Sequence, residues 1–155
     1  MLLIYDFNHF SSDSRVWLFI ANQKLSPSQC ELLHSQFSNF CETWKSHGTP
    51  LHGEIKCIHD QLIVFGVNQQ NLCGRSVDAL VRFVRETEGS LGLDLLNRNR
   101  MGYLKNDVFN PFLFREIKNL KINGSVSSNA MITNNFIEKN GEDLFIPLDQ
   151  SPFKD

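Results

Sequence analysis

The residue pattern predicts an α+β fold, and three observations carry that prediction. An unbroken run, Arg15-Val16-Trp17-Leu18-Phe19-Ile20-Ala21, has the length and the β-branched and aromatic content of a strand covered on both faces. Cys30, Leu33, Phe37, Phe40, Cys41 and Trp44 then recur at helical spacing and form one apolar stripe. Two further strand patterns, an alternating one at 53–58 and an almost wholly apolar one at 62–67, stand so close together that only an antiparallel hairpin can join them.

The elements follow in order. Ser11-Ser12-Asp13-Ser14 is a solvated turn that delivers the chain into the first strand, which belongs at the centre of a sheet. The first helix has Ser26 as its cap, Pro27 at the first helical position and Gln29 three residues after the cap, the residues of a capping box. Gly48 and Pro50 supply its stop, and His47-Gly48 reads as its C-terminus. After the hairpin, which turns at His59-Asp60, a second helix is expected over 76–88. Ser76 is its N-cap, Asp78 lies in its first turn and Gly89 ends it. Strand, helix, hairpin, helix opens a ferredoxin-like plait, and a strand at 101–104 would complete it.

Asn110 and Pro111 are expected to start a third helix that carries Phe114, Ile117 and Leu120 and closes at Gly124. A final strand is expected over 130–137, and the tail from 141, with two prolines, reads as irregular. The expected organisation is one α+β domain over 1–155, with a plait-like core at 1–95. A small strand-helix-strand lobe at 96–155 packs on it, because no stretch has the composition of a flexible linker.

Composition narrows the function classes. A chain of 155 residues with 41% hydrophobic content and 13 Phe can bury about 70% of its unfolded surface without a disulfide or metal staple. The net charge of −2 supplies no basic field for a phosphate backbone, so no nucleic-acid partner is expected. Arg98, Arg100 and Lys105 form the one basic concentration and read as a solvated edge, with Tyr103 as the sole stacking aromatic nearby. Met1-Leu2-Leu3-Ile4-Tyr5-Asp6 lacks the basic region of a signal peptide, and the longest apolar runs are too short to span a bilayer. The expectation is a cytoplasmic protein with no membrane association.

Cys30, Cys41, Cys57 and Cys73 contain no Cys-x-x-Cys pair and are expected to be free thiols. His47, His52, Cys57 and His59 cluster around the hairpin, but strand alternation puts His52 on the face opposite Cys57 and His59, so no metal is expected. No cofactor motif is present either.

The most distinctive local feature is Cys73-Gly74-Arg75-Ser76-Val77-Asp78, which follows a buried strand and opens a helix. The backbone N–H groups and positive dipole end of such a start can hold an anion, to which Arg75 adds a charged fork. Gly74, Arg75, Ser76 and Asp78, with Arg15, are the candidate ligand-binding residues. The simpler alternative makes Ser76 a cap and Asp78 a partner of the helix dipole. Cys73 beside the same helix start is a candidate thiolate nucleophile, with His47 or His59 as base. A nucleophilic Ser76 would need G-x-S-x-G, whereas the fifth position is Asp78, and the loop 68–75 is too long for that elbow. The catalytic candidates are therefore Cys73, Ser76 and His47.

Arg15-Val16-Trp17, Leu25-Ser26-Pro27, Trp44-Lys45-Ser46-His47-Gly48-Thr49-Pro50-Leu51, Gly74-Arg75-Ser76-Val77-Asp78 and Asn134-Asn135 occur in that order. Together they resemble a family of uncharacterised bacterial proteins of about this length, some of them labelled ABC transporter ATPases. That label implies G-x-x-x-x-G-K-[ST], which the chain does not contain, so ATPase activity is not expected. In the family pattern a cysteine directly precedes the serine of the helix-start motif; here that position is Arg75. A second resemblance, over 103–137, is to GYF-like adaptor modules, which implies peptide binding by the C-terminal lobe. The leading expectation is a non-catalytic binding or interaction domain with a protein partner or a second copy. The alternatives are a small enzyme using Cys73 and Ser76, and a peptide-binding adaptor.

Overall fold

The computed structural model describes residues 7–155, which divide into two compact units. One comprises residues 7–96 with Glu138–Glu142, and the other Asn97–Ile137 with Asp143–Asp155. The fold is mixed α+β with antiparallel sheets.

In the first unit, β1 (Val16–Ile20) is buried at all five positions, as its uninterrupted apolar run requires. β4 (Gly53–Ile58) and β5 (Leu62–Val67) form the expected hairpin, and the sheet order among the described residues is β1-β5-β4, so β5 holds the centre and β1 lies at an edge instead of the central place expected for it. Its turn is tight because His59 and Asp60 both adopt left-handed backbone, at φ 53° and 57°. Trp17 stands opposite Phe65, which stands opposite Ile55. Trp17 and Phe65, with Phe19 and Ile63 in the neighbouring row, belong to one core with Leu33, Phe37, Leu80, Phe83 and Val84 from the helices. Phe7 lies against Gly66, where a Cβ would come within 2.4 Å of its ring. The buried Asn140 side chain accepts from Phe7 N at 2.8 Å and donates to Phe7 O at 3.0 Å, so its amide is satisfied.

α1 (Pro27–Cys41) begins with the capping box read from the sequence. Gln29 N donates to Ser26 Oγ at 3.2 Å, and Ser26 N donates to Gln29 Oε1 at 2.8 Å. The helix ends sooner than expected, with Glu42 as its C-cap, and Trp44 leaves it to become 97% buried. His47-Gly48 is not a helix terminus. At φ 52° and 79° it is the tip of a small hairpin of β2 (Lys45–Ser46) and β3 (Thr49–Pro50), since two successive left-handed residues are what a tight hairpin needs.

α2 (Gly74–Leu91) is longer at both ends than expected. Cys73 is its N-cap, so Ser76 is the third helical residue and Asp78 lies beyond the first turn. Gly89 remains inside, because the buried Leu91 two residues further on rewards continuation by more than the roughly 1 kcal/mol that glycine costs a helix. Gly92, at φ 66°, is the actual terminator, and its N–H donates to Glu88 O at 2.9 Å.

The second unit holds β6 (Arg100–Lys105), β7 (Val108–Leu113), α3 (Ile117–Ile122), β8 (Met131–Thr133) and β9 (Phe145–Pro147). Their order is β7-β6-β8-β9. The strand expected to complete a plait lies within β6 but pairs with β7 and β8. Pairing through the two-residue turn Asn106-Asp107, at φ 53° and 61°, closes a far shorter loop than a return to β1. Asn110 and Pro111 do not start a helix; they sit in β7, an edge strand, where a proline interrupts no interior ladder. The strand expected over 130–137 is cut to three residues, and the tail read as irregular supplies β9. Among the described residues, no helix is long and apolar enough to cross a membrane.

Candidate functional site

Two pieces of chain that are distant in sequence meet at the head of α2: the segment that runs from the turn after α1 into the β2–β3 hairpin, and Cys73. Ser46 is buried and its hydroxyl oxygen accepts from Cys73 N at 3.0 Å, so a hairpin residue holds the N-cap residue in place. Ser76, also buried, donates its hydroxyl proton to Lys45 O at 2.5 Å, while Ser76 O accepts from Trp44 Nε1 at 2.9 Å. Ser76 thus ties the first turn of α2 to both the strand and the indole before it. Its role is a brace at the third helical position and not the cap read from the sequence.

The arrangement leaves an open cleft of about 670 Å³ whose lining includes Trp44, Lys45, His47, Cys73, Arg75 and Ser76. Cys73 Sγ lies 3.0 Å from Ser76 Oγ. Hydrogen bonds to the ionised sulfur pull the Cys73 thiol down from 9.0 to about 6; the Ser76 hydroxyl is the largest cause, followed by the Ser76 N–H, the Ser46 hydroxyl and the His47 N–H. Two of these four donors come from the hairpin. Lys45, Arg75 and His47 supply every ionisable side chain of the lining besides Cys73, and no carboxylate is among them.

Burial pushes the Cys41 thiol up to about 11 and the Cys57 thiol up to about 12, opposite in direction to Cys73. Four cysteines are free.

The site residues proposed from sequence are only partly brought together. Cys73, Ser76, His47 and Arg75 share the cleft. Gly74 is the first residue of α2, but a Cβ there would meet nothing within 4 Å, so the glycine serves no close approach. Asp78 and Arg15 do not line the cleft. Arg15 belongs instead to the start of β1, where its N donates to Gln69 O at 2.9 Å and its guanidinium lies 4.9 Å from the centre of the Trp17 ring. Among the described residues, no group of three or more His, Cys, Asp or Glu side chains could hold a metal.

Sequence reasoning missed Lys45 and Ser46 and assigned Trp44 to the core alone. Lys45-Ser46-His47-Gly48-Thr49-Pro50 does carry a hairpin signal, a His-Gly pair between short extended segments, but nothing in it indicates that the hairpin abuts residue 73. No family model matches the chain, and neither a curated protein nor a solved structure matches it.

Proposed function

We propose that the protein is a small cysteine-dependent enzyme whose nucleophile is Cys73. The observation that carries this reading is the placement of Cys73 Sγ in an open cleft, 3.0 Å from a buried serine hydroxyl and at the head of an 18-residue helix. A sulfur already ionised near neutral pH needs no separate base, which removes the need for His47 to abstract its proton. The sulfur forms a bond to an electrophilic centre of the substrate, and the electron pair displaced from that centre leaves with the departing group. The N–H groups of Gly74 and Arg75, the first two residues of the helix and without an acceptor inside it, meet the negative charge that develops. His47, an exposed residue of the cleft lining, is the proposed proton donor to the leaving group.

The test is competitive alkylation of the native chain with limiting iodoacetamide at pH 7, followed by peptide mapping. Cys73 is expected to take the largest share of the label, about fourfold more than a thiol of ordinary pKa, with Cys41 and Cys57 unmodified until the chain is unfolded. Equal labelling of all four cysteines would sink this reading.

A second reading, a binding domain, has an observation of its own. In the second unit Phe136 and Phe114 are 63% and 46% exposed, and both rings pack on Phe153, at 6.0 and 5.2 Å between centroids. Such a patch suits contact with a second copy of the chain. Sedimentation should then depend on concentration, and Phe136→Asp should abolish that dependence. A monomer at every concentration rules the homodimer out.

A further inference from the structure

Two cysteines that play no part in the cleft are in contact elsewhere in the first unit. Cys30 lies in the first turn of α1 and Cys57 near the end of β4, and their Sγ atoms are 3.8 Å apart. Both side chains are half-buried, within reach of a small solute. α1 packs on β4, so the contact belongs to an interface between elements and not to a mobile loop.

We propose that Cys30 and Cys57 are a reversible dithiol–disulfide site whose oxidant is a low-molecular-weight disulfide. Closing 3.8 Å to a bond of about 2.05 Å asks for a small approach, which side-chain rotation and the terminal turn of a helix can supply. Cys41 cannot replace either partner. It lies against Gly53, four residues before Cys57 on β4, a separation of roughly 13 Å along an extended strand.

The exchange balances in two steps. Cys30 loses its proton to solvent and attacks one sulfur of the small disulfide; that S–S bond breaks, and the leaving thiolate takes up a proton. The second half remains on Cys30 as a mixed disulfide. Cys57 then loses its proton and attacks the Cys30 sulfur, expelling the second thiolate, which is protonated in turn. The protein pair is oxidised by two electrons, and the small disulfide is reduced to two thiols. Burial and the neighbouring Cys30 hold Cys57 as a thiol, which makes Cys30 the first to attack.

The resulting bond clips the start of α1 to β4. It closes a loop that contains Trp44 and the β2–β3 hairpin, the segment that supplies half of the Cys73 cleft. The site itself does not depend on the chemistry assigned to Cys73.

The test uses the full native chain in glutathione buffers of graded oxidised-to-reduced ratio, quenched with acid and N-ethylmaleimide and then peptide-mapped. Expected are linked peptides containing Cys30 and Cys57, a loss of two titratable thiols reversed by excess reduced glutathione, and a rise in Tm of about 5–10 °C. Cys57→Ser should stop at a glutathione adduct on Cys30. Failure of the link to form at the most oxidising ratio, or its formation only in denaturant, would overturn the proposal. A glutathione adduct on Cys73 alone would do the same while leaving the Cys73 reading intact.

Discussion

Alkylation of Cys73 is expected to rise with pH through a midpoint near 6, about three units below the ordinary thiol value of 9.0. The sign follows from linkage: groups that hydrogen-bond the thiolate favour the charged form, so the proton leaves at lower pH and reactivity is lost only as pH falls through the depressed value. The size of the rate advantage depends on where it is measured. At pH 7 the thiolate fraction is about 90% against about 1% for a thiol titrating near 9, but a weaker base is a weaker nucleophile, with a Brønsted slope of 0.4–0.5. These terms leave only about a fourfold net advantage at pH 7 and about 40-fold at pH 5. The diagnostic quantity is therefore the midpoint, measured from alkylation rates between pH 4.5 and 10.

Two variants apportion the cause. The Ser76 hydroxyl has one proton and two acceptors, Lys45 O and the Cys73 sulfur, so ionisation of Cys73 draws that proton from the carbonyl. Ser76→Ala should move the midpoint upward, because the thiolate loses the hydroxyl that contributes most to its stabilisation. His47 contributes its backbone N–H and not its ring to the thiolate, and Asn tolerates left-handed backbone, so His47→Asn should leave the midpoint in place. A wild-type midpoint at ordinary thiol values would remove the basis of the proposed activity.

Phe37→Ala is expected to cost about 3–5 kcal/mol, read from the midpoint of urea unfolding. Phe37 is 98% buried, and its ring contacts those of Phe65 on the sheet, Phe83 on α2, Phe40 on its own helix and Trp44 before the hairpin, at 4.9, 5.7, 5.9 and 6.2 Å. Its truncation opens a cavity where four elements meet. The neighbouring rings cannot collapse into it without moving backbone, because Gly53 already admits the Phe37 ring to within 2.9 Å of where a Cβ would stand. Phe37→Leu, which keeps more of the volume, should cost less than half as much. A loss below 1 kcal/mol for the alanine variant would mean that this ring cluster does not hold the layers together.

Both results depend on parts of the structure that were unequally legible in the sequence. Val16–Ile20 and Leu62–Val67 announced buried strands because their short length and their β-branched and aromatic content favour a strand covered on both faces. Ser26, Pro27 and Gln29 announced a helix start because their chemistry acts on backbone groups within three residues. Pro111 misled for a related reason: its fixed φ suits a helix start and an edge strand equally, and only the pairing of β7 with β6 separates them. Asn106-Asp107 was the missed signal, two residues tolerant of left-handed backbone between extended runs.

By itself, then, the sequence determined the α+β class, the β4–β5 hairpin, the capping box of α1 and the candidacy of Cys73, Ser76, His47 and Arg75, because each rests on residue types acting over one or two turns of chain. Tertiary structure alone decided that Cys73 caps α2 and that Ser46, 27 residues away, holds it. It also decided that Cys30 touches Cys57 across another 27 residues. Hydrogen bonds to a thiolate and contacts between thiols depend on distance in space, and no periodicity or local propensity records which distant segments the packing of Phe37, Trp44 and Phe83 brings together.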